Sequence, residues 1–168
     1  ISLTDTYNFK SVYDVKAFDV DHKRHTQSDD KDMESFYLAK VKDATINSVK
    51  RRLLADRPIA FLLSGGVDSS LVAAISAKLL GQPINTFCCG MNDGTDMFYA
   101  RQVAEHIGSN HKEIFFTPEE GLEAIRDVIY TTETWDTTSI RASVGQYIVC
   151  KYIGTKTDAR VVMVGEGP

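Results

Sequence analysis

The ten residues Phe61 to Ser70, F-L-L-S-G-G-V-D-S-S, pass from an apolar run through a glycine pair into hydroxyls and an acid. That order asks for a strand, a tight turn and a helix start in succession. Ile59 to Leu63 fits a buried strand, and Leu71 to Leu80 carries apolar residues at helical spacing. Gly65 and Gly66 lack Cβ atoms, so the main chain can turn sharply and bring its N–H groups close to an anion. The helix start adds unpaired donors and partial positive charge. Ser64, Ser69 and Ser70 add hydroxyl donors, and Asp68 can hold a Mg²⁺ that bridges phosphate oxygens. The same residues also suit a plain turn in which Asp68 and Ser69 cap a helix, and local chemistry leaves both readings open. The turn has no lysine and no G-K-[ST] ending, so it is not the mononucleotide P-loop, and it is not G-x-G-x-x-G.

Further apolar runs extend the pattern. Ile84 to Cys89, Glu113 to Phe116 and Ala159 to Val164 read as strands, and Met97 to Ile107, Glu119 to Tyr130 and Ser139 to Ile153 as helices. Strands separated by helices of this length predict a doubly wound parallel sheet with flanking helices. Gly81, Gly108 and Gly154 each fall where a helix should end. Upstream, Met33 to Leu54 sets Phe36, Leu38, Val41, Ala44, Ile46, Val49 and Leu53 on one broad helical face. Tyr7 to Val20 suggests one or two short strands, and His22 to Asp32 an exposed polar linker.

A chain of 168 residues with 43% hydrophobic content supports one core. A net charge of −4 without a basic stripe argues against nucleic acid and favours small molecules as partners. No apolar run reaches membrane-spanning length, no signal-like segment opens the chain, and the expected location is cytoplasmic. Cys88, Cys89 and Cys150 form neither an even set nor a C-x-x-C pair, which fits a reducing compartment. Ile1 and Gly165-Glu166-Gly167-Pro168 read as cut ends.

Two more segments concentrate chemistry. Glu133 to Ser143, E-T-W-D-T-T-S-I-R-A-S, gathers hydroxyls, acids and one arginine at a helix start. Thr138 and Arg141 are three apart and share a face, a pair suited to carboxylate or phosphate. An ordinary capped helix with a solvated arginine is the alternative. Val164-Gly165-Glu166-Gly167 ends a strand, and in a doubly wound sheet it opens on the same edge as the Ser64 turn.

Ser64-Gly65-Gly66-Val67-Asp68-Ser69 resembles the S-G-G-x-D-S loop of the ATP-pyrophosphatases, enzymes with the adenine nucleotide alpha-hydrolase-like fold. With I-N-T-F-C-C-G, G-T-D-M-F-Y-A-R, H-K-E-I-F-F-T, I-R-D-V-I-Y, E-T-W-D-T-T-S-I-R-A-S and V-G-E-G, the chain resembles the first part of the synthetase domain of glutamine-hydrolysing asparagine synthetases. The resemblance implies a remnant of a glutaminase domain in residues 1–20, a linker in 21–32 and a partial synthetase domain in 33–168. It implies that aspartate is activated by ATP as aspartyl-AMP, with release of pyrophosphate, and that ammonia then displaces AMP. Ser64, Gly65, Gly66, Val67, Asp68, Ser69 and Ser70 would hold the phosphates, with Asp68 on Mg²⁺. Leu62, Cys89 and Gly165 would lie by the adenosine. Thr138 and Arg141 would stabilise the adenylation transition state, and Glu166 would orient ammonia or take its proton. The parent would draw ammonia from its glutaminase domain and could form a homodimer.

The family usually reads S-G-E-G-S-D-E, whereas Val164 and Pro168 stand here for the two serines. Two other readings stand beside this one. One is a different carboxylate-adenylating amidotransferase, such as a β-lactam-forming synthetase, and the other is a nucleotide-binding module without catalysis.

Overall fold

The computed structural model describes residues 30–91 and 94–165. Within them the chain runs α1 (Asp30–Arg52), β1 (Ile59–Leu62), α2 (Val67–Leu80), β2 (Asn85–Gly90) and α3 (Thr95–Ile107). It continues through β3 (Asn110–Phe115), α4 (Pro118–Thr132), α5 (Thr137–Lys156) and β4 (Val161–Met163). The readings of Tyr7 to Val20 as strands and of residues 21–29 as linker lie outside the described residues; residues 30–32 already belong to α1. A division between two compact units falls inside α1, between Lys42 and Asp43. In the part before that division Phe36, Leu38 and Val41 are exposed. Of the apolar face read along this helix, Val49 is buried in the core of the second unit, with Leu53 packed partly against it.

That core forms on both sides of a four-stranded sheet, all parallel, in the order β3-β2-β1-β4. Alternation along each strand sorts the side chains by face. Phe61, Leu63, Cys88 and Met163 pack with Ala73 of α2 and with Met97, Ala100 and Ala104 of α3. Ala60, Phe87 and the partly buried Leu62, Cys89, Ile114 and Val162 pack with Val149 and Ile153 of α5. Helices therefore cover both faces, as a doubly wound sheet requires. Phe61 and Leu63, each nearly fully buried, contribute about 1.5–3 kcal/mol apiece.

Local chemistry sets most boundaries. Gly81 and Gly108 adopt left-handed conformations and end α2 and α3, as their positions predict. Thr117 and Glu120 make a reciprocal capping box for α4, with Pro118 in its first turn. Asp136 caps α5 by accepting the Ser139 N–H at 2.7 Å, so this helix starts at Thr137, ahead of the predicted Ser139. At its other end the sequence reading fails, because Gly154 does not stop α5. The helix runs on to Lys156, with the Thr157 N–H donating to Ile153 at 3.1 Å and the Thr155 hydroxyl to Lys151 at 2.7 Å. Strand β3 likewise begins at Asn110 rather than Glu113, since the Asn110 N–H donates to the Ile84 carbonyl at 2.8 Å and its side-chain amide to Asn85. No described helix is long and apolar enough to cross a membrane.

Candidate functional site

The strand order reverses direction at β1: the chain proceeds outward through β2 and β3, then returns to place β4 on the other side. In an open parallel sheet the crevice forms at such a point, beyond the carboxyl ends of the strands. Two turns meet there. The Ser64 turn leaves β1, and Val164-Gly165 leaves β4. A Cβ on Gly165 would lie 2.6 Å from Ser69 Cα and 2.7 Å from the Asp68 carbonyl oxygen, so the end of β4 rests directly on the backbone of α2. Gly65, at φ 81°, is equally confined: its Cβ would meet the Ala100 nitrogen at 2.5 Å and Tyr99 Cβ at 2.6 Å.

Within the turn, the buried Ser69 hydroxyl organises three groups of Ser64 and Gly66. It donates to the Gly66 carbonyl at 3.2 Å and accepts the Ser64 N–H at 3.2 Å. Its proton being committed, it accepts that of Ser64 Oγ at 2.9 Å. Ser64 Oγ in turn accepts the Gly66 N–H at 3.4 Å. Gly66 is the N-cap of α2 and provides no side-chain acceptor, so Val67, Asp68 and Ser69 begin the helix without a capping oxygen from it. Ser70 Oγ is buried without a hydrogen-bond partner. A helix start left open in this way can accept an anion.

Beside this turn lies a pocket of about 250 Å³. Leu62, Ser64, Ser69, Cys89 and Gly165, all singled out from the sequence, line it together. Phe87, Asp96, Gln146 and Val149 also line it and were not singled out. Strand alternation from Cys89 would have found Phe87, and the spacing of Gln146 and Val149 puts them on one face of α5. Nothing local marks that face as lining a site. The Cys89 thiol donates to the Gly145 carbonyl at 3.0 Å, pinning this turn of α5 to the end of β2. Burial, with a smaller contribution from Cys150, pushes the Cys89 thiol up to about 11, so it is a packing group and a weak nucleophile.

Asp68 is exposed in the first turn of α2 and lines a neighbouring cleft that shares Val164 and Gly165 with the pocket. Thr138 and Arg141 are exposed on the first turns of α5, and neither lines the pocket. Glu166, Gly167 and Pro168 lie outside the described residues. Among the described residues no cluster of three or more His, Cys, Asp or Glu forms.

A second polar group crosses β2 and β3 on the α3 side. His111 contacts Thr86 Oγ1 through Nδ1 at 2.9 Å and Cys88 Sγ through Nε2 at 3.4 Å, while Thr86 Oγ1 also meets Ser109 Oγ at 2.8 Å. Burial lowers the His111 pKa, and burial followed by the nearby Glu113 raises Cys88 to about 12. Glu113 itself is held below the usual carboxylate range by its hydrogen bonds from Arg101, at 2.9 Å each.

The family model for asparagine synthase matches residues 40–168. Over 126 residues the chain is 52% identical to the glutamine-hydrolysing asparagine synthetase of Homo sapiens and 51% identical to that of Gallus gallus. Each match covers 72% of this chain and 22% of the relative, so the chain spans about a fifth of the length of these curated relatives. Among solved structures it is similar in fold to an NMN synthetase from Francisella tularensis, with TM-score 0.50, 18% identity, and coverage of 77% of this chain and 54% of that one. It is also similar to an NH₃-dependent NAD synthetase from Campylobacter jejuni, with TM-score 0.50, 16% identity, and coverage of 77% and 56%.

Proposed function

Because the chain belongs to the asparagine synthase family, we propose that it is part of an ATP-dependent ligase that converts aspartate to asparagine. The observation that carries this reading is the meeting of the Ser64 turn and Gly165 at the reversal of strand order, beside a pocket with apolar walls. The base lies against Leu62 and Cys89, with Gly165 alongside. The phosphates lie on the start of α2, held by the N–H groups and hydroxyls from Ser64 to Ser70.

Two features suit this load. The N-cap of α2 is a glycine whose missing side chain leaves the first turn open to a ligand oxygen, and the buried Ser70 hydroxyl has a proton to give. Mg²⁺, when bound, would neutralise phosphate charge. Asp68 would offer it one carboxylate, and Mg²⁺ commonly takes its remaining ligands from phosphates and water.

In the reaction, an aspartate side-chain oxygen attacks the α-phosphorus and the α–β bridge breaks, releasing pyrophosphate. Ammonia then attacks the acyl carbon of aspartyl-AMP, AMP departs, and a proton leaves the nitrogen. Thr138 and Arg141 stabilise the first transition state as charge develops. Glu166 orients the ammonia or takes its proton. Residues 1–20 are assigned to the end of a glutaminase domain that releases ammonia from glutamine, and 21–32 to a linker.

Exchange of isotope between pyrophosphate and ATP, with and without aspartate, tests the reading. We expect aspartate-dependent exchange, and in Arg141→Lys a fall in kcat of about a hundredfold, as for loss of an oriented transition-state donor. ATP affinity should change less. Glu166→Gln should spare exchange and slow asparagine formation. Exchange that needs a carboxylate other than aspartate would move the chain to a different amidotransferase. ATP binding without exchange would make it a nucleotide-binding module, and unimpaired Arg141→Lys would return that residue to the solvated face of a capped helix.

A further inference from the structure

Strand β3 ends the sheet, and among the described residues no strand pairs with its outer side. Its inner ladder fixes which backbone groups are left over. The N–H groups of Asn110 and Phe116 donate to the carbonyls of Ile84 and Gly90 along β2, at 2.8 and 3.2 Å, and the register between the two strands is unbroken from Asn110 to Phe115. In a parallel ladder every second residue bonds to the same neighbour, so Lys112 and Ile114 also face β2. His111, Glu113 and Phe115 therefore point both N–H and C=O outward. No described residue bonds to these six groups.

We propose that this edge pairs with the β3 edge of a second copy of the chain, antiparallel about a two-fold axis at Glu113. In that register His111 lies opposite Phe115 of the partner subunit, and Glu113 opposite Glu113 of the partner subunit. Each such pair exchanges two hydrogen bonds, and the three pairs use every outward group. A register moved one pair along would call on Ser109 or Thr117, whose N–H groups already go to the Ala104 carbonyl at 3.0 Å and the Glu120 carboxylate at 2.7 Å, so it forms fewer bonds. The side chains suit the same register, since opposite residues share a face. His111 stands beside the ring of Phe115 of the partner subunit, a side chain 52% exposed in the single chain. The stem of Lys112 falls across Ile114 of the partner subunit. Two Glu113 carboxylates alone would repel, but Arg101 holds each through two hydrogen bonds of 2.9 Å, so two anions and two guanidinium groups meet at the axis. A second copy supplies that set of four charges, and an unrelated strand does not. Nor does β3 contain a proline or a bulge, devices that commonly guard an edge.

Analytical ultracentrifugation over a concentration series reads the association, and amide hydrogen exchange reads the surface. Wild type should pass from monomer to dimer as concentration rises. The N–H groups of His111, Glu113 and Phe115 should gain protection with it, while those of Lys112 and Ile114, bonded to β2, stay protected throughout. Glu113→Pro removes an outward N–H and none that reaches β2, so its circular dichroism should match wild type. Its dimer should be weaker by about thirtyfold, the worth of two net hydrogen bonds. Glu113→Gln keeps the N–H and an acceptor for Arg101, and should dimerise as wild type does. Wild type that stays monomeric at millimolar concentration overturns the proposal. So does a dimer whose alternating amides gain no protection, a result that stands even if Glu113→Pro fails to fold. Dimerisation that Glu113→Pro leaves intact, or that Glu113→Gln weakens equally, also overturns it, because the contact would then lie on another surface or in the side chain.

Discussion

Replacing Gly65 by alanine brings two separable costs. The backbone there sits at φ 81°, where an L side chain is disfavoured by about 1–2 kcal/mol. The added methyl also starts 2.5 Å from the Ala100 nitrogen and 2.6 Å from Tyr99 Cβ, well inside the 3.4 Å at which ordinary contact begins. Backbone atoms in the second turn of α3 cannot rotate away, so the turn and the helix must separate, at about 1–3 kcal/mol for overpacking of this kind. The expected loss is about 2–5 kcal/mol. Gly165→Ala meets Ser69 Cα at 2.6 Å without a positive φ, so only the overpacking cost of about 1–3 kcal/mol applies. Gly154→Ala is the control. Gly154 lies inside α5 with nothing within 4 Å of its would-be Cβ, and alanine should gain about 0.5–1 kcal/mol there. Urea denaturation monitored by circular dichroism should rank the proteins Gly154→Ala, wild type, Gly165→Ala, Gly65→Ala, with similar m-values. A Gly65→Ala protein as stable as wild type would refute the claim that α3 closes onto this turn.

Ser69→Ala removes the buried hydroxyl that serves Ser64 and Gly66, and should cost about 1–3 kcal/mol of stability. The same change should weaken pyrophosphate binding; undiminished affinity by calorimetry would limit Ser69 to folding. His111 gives a pH dependence. Burial lowers its folded pKa below the ordinary 6.5, so the unfolded chain takes up the proton first. The stability contributed by neutral His111 is present above pH 6.5 and is lost as pH falls from there toward the lower folded value. Urea midpoints measured across that range should show the decline, and His111→Gln should flatten it. An unchanged slope in His111→Gln would assign the decline to other groups.

The turn from Ser64 to Ser70 was readable because its requirements are local: a glycine able to take positive φ, hydroxyls within five residues of one another, and a helix start that follows at once. The same holds for Gly81 and Gly108, whose left-handed conformations close helices on their own backbones. Gly154 misled for the converse reason. Glycine only weakens a helix, by about 1 kcal/mol, and the ladder from Ile153 to Thr157 continues through it. Parallel order and two covered faces also followed from the alternation of strands and helices, since sequential parallel strands need crossovers. What the alternation could not say is where β4 returns. Placing it beside β1 and not beyond β3 brings Gly165 onto Ser69 and opens the pocket at that point. Gln146 and Asp96 join the pocket for the same reason, from helices on opposite faces. A residue's own neighbours in the chain determine its conformation, but which distant backbone it meets depends on strand order, and only the folded sheet decides that.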